Sequence, residues 1–218
     1  MLLLACGVDR ETSESCLRLA ASQHALKPFA GIHPSEALKK GDLRWFQRAL
    51  EKAAGVGEIG LDPKYSAIGA GSLQRKIFLA QLKAAEKCRK PIQVHSRGAE
   101  SECLDVLKGF GLKSVLMHWF QAEEILPKVM EAGYFVSFGP SLTYSKRLQR
   151  MAARCDPRLV VSETDSPVSY GPLGGVHGPH LVPSVVFKLG EVWGRTFEEA
   201  RISTAQNALR FLGAAEKG

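Results

Sequence analysis

Residues 56–62 read Val56-Gly57-Glu58-Ile59-Gly60-Leu61-Asp62. Branched apolar residues alternate with glycine, and two carboxylates interrupt a run that is otherwise apolar. The segment Gly55–Gly60 therefore predicts a short strand buried on both faces, as in a parallel sheet. An ionisable side chain at or near the end of such a strand is the feature to follow along the chain.

That feature recurs. His33 follows Phe29-Ala30-Gly31-Ile32, at the end of a strand expected over Lys27–Gly31. His95 follows Pro91-Ile92-Gln93-Val94, and His118 follows Val115-Leu116-Met117 in a strand expected over Ser114–Met117. Glu163 and Asp165 follow Leu159-Val160-Val161-Ser162. With Leu2–Val8 and Tyr134–Phe138, seven strands are readable.

Amphipathic stretches separate them. Ser72–Cys88 sets Leu73, Ile77, Ala80 and Ala84 on one helical face. Glu100–Phe110, Ala122–Ala132 and Ser141–Arg154 read as helices too. Thr196-x-x-Glu199 is a capping box that starts another, and Asn207–Leu212 predicts a short closing helix ending at Gly213. This alternation predicts an α/β fold with a parallel sheet. Seven strands point to a TIM-type (β/α) barrel, in a single domain over residues 1–218. A full barrel has eight strands and about 250 residues. The first strand is therefore expected to be missing, through a start placed too late or a real loss. An unclosed barrel exposes two strand edges, which predicts an incomplete barrel or a homo-oligomer that covers the gap.

In a parallel barrel the C-terminal strand ends converge on one mouth, where active sites are built. Two imidazoles and two carboxylates from separate strands, His95, His118, Glu58 and Asp165, can share a divalent cation. A carboxylate can bridge two metals, and a bridged pair suits phosphodiester cleavage. Each residue has a plainer reading. A lone histidine after a strand is commonly structural, Glu58 can pair with Arg97, and Asp165 before Pro167 can start a turn. Repeated placement at strand ends is what favours a shared site.

Composition narrows the setting. The chain has 218 residues, 45% hydrophobic and 23% charged, enough for one sizeable core. A formal charge of +7 favours an anionic partner such as nucleic acid, though only weakly by itself. The five cysteines are odd in number and form no C-x-x-C, so neither a disulfide framework nor a zinc ribbon is expected. Reduced thiols in a cytoplasmic protein are the simpler reading. Met1–Val8 is apolar but too short for a signal peptide or a membrane span, and no membrane association is expected.

Beyond these patterns, the chain resembles the TatD family of metal-dependent deoxyribonucleases. The resemblance rests on motifs in the family's order. They are Gly31-Ile32-His33-Pro34, Gly57-Glu58-Ile59-Gly60-Leu61-Asp62, Pro91-Ile92-Gln93-Val94-His95-Ser96-Arg97, Met117-His118-Trp119-Phe120, Glu163-Thr164-Asp165-Ser166-Pro167 and Asn207-Ala208-Leu209-Arg210-Phe211-Leu212-Gly213. It implies a TIM-barrel hydrolase of DNA that uses one or two divalent ions, Mg²⁺, Mn²⁺ or Zn²⁺. Carried over, Glu58 is the carboxylate shared between metals, and His95 and His118 are ligands. Asp165 binds metal and orients or deprotonates the attacking water. His33 lies beside the site and contacts a phosphate, Arg97 contacts either a phosphate or the residues behind the ligands, and Asp62 and Glu163 orient ligands and loops. Apart from the resemblance, Tyr65 is an aromatic candidate near the mouth for holding the strand by base stacking.

Two departures qualify the resemblance. Many relatives carry a His-x-His pair on the first strand, and none occurs here, so the first metal position is expected to be weak or absent. Relatives often have Asn-Glu-Pro where this chain has Gly174-Gly175-Val176-His177-Gly178-Pro179-His180; the expectation is a Gly-rich surface loop with two incidental histidines, the alternative being accessory groups at the mouth. Two rival functions remain: hydrolysis of another ester or amide, such as an aminoacylated tRNA, and a degenerate family member that binds nucleic acid without activity.

Overall fold

The structure is a computed structural model that describes residues 2–37, 43–65, 70–173 and 177–213. Seven strands occur among them: β1 Leu3–Cys6, β2 Leu26–Ala30, β3 Gly55–Gly60, β4 Ile92–His95, β5 Val115–Met117, β6 Phe135–Phe138 and β7 Val160–Ser162. Eight α-helices alternate with them: α1 Arg10–Ser22, α2 Arg44–Lys52, α3 Ala70–Cys88, α4 Glu100–Leu107, α5 Leu126–Glu131, α6 Lys146–Ala153, α7 Val182–Trp193 and α8 Phe197–Phe211. Packing divides the chain into two compact units, Met1–Leu116 and Met117–Gly218.

In the first unit β1, β2, β3 and β4 pair in that order, every pair parallel. The β3–β4 register runs Val56↔Ile92 and then Ile59↔Val94, so β3 carries one extra residue around Gly57-Glu58. A bulge re-aims the side chains beside it, and this one sits at Glu58, where the Gly57–Glu58 peptide is cis. Strand β3 ends at Gly60 with φ +147°, and a Cβ there would lie 1.8 Å from the His95 carbonyl oxygen. Only glycine lets β3 and β4 come this close. Phe29, Phe46, Ile59, Phe78, Leu82 and Ile92 form the core.

Helix starts follow local chemistry. Asp9 caps α1 in a capping box with Thr12, and Thr196 caps α8 in one with Glu199. Helix α3 departs from the expected face. Leu73, Ile77, Ala80 and Ala84 flank its buried stripe, which runs through Gln74, Phe78, Gln81, Leu82 and Ala85. The stripe is turned so that two glutamines point inward.

In the second unit β6 pairs β7 in parallel, and α7 packs on α6 and α8. The capping box and the closing helix turn out to be one element, α8, rather than two. Asn207, expected to start the closing helix, lies in the middle of α8. It is buried, and its amide donates to the Pro157 and Val160 carbonyls at 2.7 and 2.6 Å, tying α8 to the entry of β7. Helices α1, α2 and α7 were not anticipated; α1 buries only Ser13 and carries no apolar stripe to read.

Candidate functional site

Three chain segments of the first unit deliver its ionisable side chains to one place. His33 follows β2, where its ring accepts from the Ser35 amide and starts the 3-10 turn Pro34–Glu36. Glu58 comes from the bulge in β3, and His95 is the last residue of β4. One ligand atom from each of His33, Glu58 and His95 lies within 4.8 Å of the others. His95 Nδ1 is 2.9 Å from Glu58 Oε1, and His33 Nε2 is 3.6 Å from the same oxygen. All three are largely buried. Two imidazoles and a carboxylate at this spacing fit a borderline or hard divalent cation.

The two imidazoles are held differently. Nε2 of His95 is 2.7 Å from Oδ2 of Asp62, which is fully buried. A ligating histidine commonly has its far nitrogen on a carboxylate in this way, which leaves Nδ1, on the Glu58 side, to face a cation. His33 receives the Ser35 backbone N–H on Nδ1 at 3.2 Å. In the neutral ring the proton is then on Nε2. His33 therefore offers Glu58, or an anionic oxygen in its place, a donor rather than a lone pair. It belongs to the cluster by distance, but its hydrogen bonding suits a phosphate contact.

Asp62 is the hub. Besides His95 it accepts from the Lys64 amide at 2.8 Å and from Arg97 Nε at 2.8 Å. Burial pushes its carboxyl up, but the hydrogen bonds from His95, Lys64 and Arg97 prevail and hold it below the ordinary range. Arg97 therefore pairs with Asp62. Its guanidinium lies 4.8 Å from the Tyr65 ring centre, and the Tyr65 ring meets His33 edge-on at 5.8 Å. Half of each outer side chain, Arg97 and Tyr65, is open to solvent.

The second unit carries its own polar group. His118, at the end of β5, is buried with Nδ1 3.6 Å from Glu163 Oε2. The other Glu163 oxygen accepts the Trp119 amide at 2.8 Å, and Ser137 Oγ accepts it as well at 3.0 Å. Trp119 and Asp165 both adopt left-handed backbone, with φ 41° and 46°. Non-glycine residues are uncommon there and cost about 1–3 kcal/mol each, a pattern concentrated at functional sites. Tyr170 donates to the Thr164 carbonyl at 2.8 Å. Burial, then the charges of Glu163 and Asp165, push its hydroxyl well above the usual range, so it stays protonated.

His177 corrects an expectation. Part of its loop, residues 174–176, lies outside the described residues, but His177 itself is buried, edge-on to Tyr170 at 5.4 Å. It is not an incidental surface group. His180 is exposed. The sequence reading also passed over Gln74 and Gln81, which bind the backbone on both sides of His33. The available signal was a pair of amides seven residues apart within an apolar helical register.

Comparison with known proteins adds three findings. The family model described as TatD related DNase matches residues 1–213. The chain is 28% identical to the human protein named deoxyribonuclease TATDN3, covering 85% of this chain and 73% of that one. It is 25% identical to an uncharacterized metal-dependent hydrolase TatD of Mycobacterium tuberculosis, covering 94% and 83%. The crystal structure of YJJV, a TatD homologue of Escherichia coli K12, superposes with a TM-score of 0.88 at 25% identity, covering 96% of this chain and 85% of that one. The match extends the TIM-type α/β reading across both units.

Proposed function

Because the chain belongs to the TatD related DNase family, we propose that it is a metal-dependent hydrolase that cleaves the phosphodiester bonds of DNA. The observation that carries the reading is the convergence of Glu58 and His95, with Asp62 behind the imidazole, in a chain whose relatives are named deoxyribonuclease and metal-dependent hydrolase.

Glu58, His95, His118 and Asp165 would hold the divalent metal. When bound, such an ion lowers the pKa of a water and neutralises charge on phosphoryl oxygens. The chain's own residues do the rest. Asp165 accepts the proton of the attacking water. Asp62 keeps His95 in one orientation. His33 directs a ring N–H towards a phosphate oxygen, and that contact is worth more as charge grows there during attack. Arg97 is anchored on Asp62 through Nε beside Tyr65, and its guanidinium meets a second phosphate with the planar geometry that suits it. Tyr65, half exposed beside it, offers a face to a base. The donor set accommodates Mn²⁺ or Zn²⁺ through its imidazoles and Mg²⁺ through its carboxylates. A cytoplasmic setting agrees with five cysteines that form no disulfide. Among the described residues no helix is long and apolar enough to cross a membrane.

The test is a metal-titrated nuclease assay on DNA, with charged tRNA offered alongside, for wild type, Glu58→Ala and Asp165→Ala. DNA cleavage that needs added metal and disappears in both variants is expected. Undiminished cleavage in both would mean that the chemistry lies elsewhere.

A further inference from the structure

Helix α3 carries two glutamines, Gln74 and Gln81, seven residues apart and so on one helical face. Gln74 is 3% exposed and Gln81 fully buried. Amides rarely sit this deep without partners, and these have specific ones. Gln81 Oε1 accepts the Ile32 N–H at 2.7 Å, and its Nε2 donates to the Ile32 carbonyl at 3.1 Å. Gln74 Oε1 accepts the Asp62 N–H at 3.1 Å. Its Nε2 donates to the Asp62 carbonyl at 3.0 Å and to the Pro34 carbonyl at 3.2 Å.

The geometry explains why. Strand β2 ends at Ala30 and β3 at Gly60, so the segments beyond them have left the sheet ladder while still buried. Their backbone groups need partners that the sheet no longer provides. A side-chain amide has the donor and acceptor of a peptide group, and Gln81 pairs with Ile32 as a neighbouring strand would. Gln74 ties the segment after β2 to the segment after β3. The residues held are those next to His33, namely Ile32 and Pro34, and Asp62 itself.

We propose that Gln74 and Gln81 are positioning residues with separable tasks. Gln74 sets Asp62, and through it the His95 imidazole that would face the metal. Gln81 sets the backbone that aims His33 at substrate. The inference rests on the metal-hydrolase reading above, and it makes the two amides differ in which property they control. Replacing a group behind a metal ligand commonly costs 10–100-fold in affinity or activity, whereas moving a phosphate contact leaves the ion alone.

The test uses the full chain with Gln74→Met and Gln81→Met, which keep approximate shape and remove the hydrogen bonds. Mn²⁺ affinity is measured by calorimetry, and kcat and KM on DNA are measured separately. Gln74→Met should weaken Mn²⁺ binding by about tenfold or more. Gln81→Met should bind Mn²⁺ within twofold of wild type, while kcat falls about tenfold. Gln74→Leu and Gln81→Leu, which also remove both the donor and the acceptor without adding charge, serve as a second pair if the methionine variants do not fold. Loss of thermal stability alone, with Mn²⁺ affinity and kcat of the folded protein unchanged, would reduce the glutamines to a structural brace and overturn the assignment. Failure of all four to fold would do the same. If wild type itself neither binds Mn²⁺ nor cleaves DNA, the metal-hydrolase reading is what fails, and that is visible before any variant is compared.

Discussion

Asp165 shows how much can rest on one residue. Its φ of 46° puts it in backbone that few side chains prefer, and the proposed mechanism asks its carboxylate to hold metal and take a proton. Asparagine tolerates the left-handed region as well as aspartate does, yet it cannot accept that proton. Asp165→Asn should therefore lower kcat by at least about 100-fold while the metal-free protein keeps its thermal midpoint. A large loss of stability with kcat preserved in the folded fraction would show that the carboxylate is structural. The buried thiols give a pH prediction that does not draw on the proposed chemistry. Burial pushes Cys155 up to about 12, and burial raises Cys103 further still. In the unfolded chain a thiol titrates near 8.5. The folded state thus holds its protons longer, and the stabilisation is whole below about pH 8.5 and is lost as pH rises towards 12. Each thiol should contribute a decline of about 1.4 kcal/mol per pH unit in that window. Urea unfolding at pH 9.5 and 10.5 measures it, and Cys155→Ser should reduce the slope. A slope that the substitution leaves alone would contradict the assignment.

At the scale of elements, β3 and β4 approach each other closely at Gly60. Alanine there would combine φ +147° with a Cβ 1.8 Å from the His95 carbonyl. Gly60→Ala should cost more than about 3 kcal/mol, strain and clash together, and should separate Glu58 from His95. Calorimetric unfolding and Mn²⁺ titration would register both effects, and a variant with wild-type stability would show that β3 can move aside freely. The strands were legible because an apolar run between turn residues is a local signal, and β3 coincides with its expected bounds at Gly55–Gly60. The Thr196 capping box was legible for the same reason. What escaped reading depends on distant parts of the chain. The inward turn of α3 answers the backbone of Ile32 and Asp62, which lies beyond the strand ladder, and nothing in the helix announces that need. Likewise, Arg97 has two carboxylates within reach of a sequence argument, Glu58 and Asp62, and only the fold selects Asp62. In the second unit, Asn207 looks like a helix start by residue type, although it serves a loop fifty residues earlier.

For the whole molecule, the decisive question is whether one cation engages both compact units, Met1–Leu116 and Met117–Gly218. The proposed ligands are divided evenly, Glu58 and His95 in the first, His118 and Asp165 in the second. A ligand bound only by the native state stabilises it by RT ln(1 + [L]/Kd), about 2.7 kcal/mol at a hundredfold excess over Kd. For a chain of this size that is a rise of roughly 5–10 °C in Tm. An ion with ligands in both units must raise the unfolding cost of both. One held by His33, Glu58 and His95 alone stabilises the first unit and leaves the second untouched. Hydrogen exchange separates these cases, because the slowest amides report each unit by itself. Adding Mn²⁺ to chelated protein should increase protection in β3 and β4 and also in β6 and β7, and Asp165→Asn should reduce the gain in all four. Protection confined to residues before 117 would remove His118 and Asp165 from the metal. The hydrolytic water would then need a base from the first unit, where Asp62 is already occupied by His95, Lys64 and Arg97.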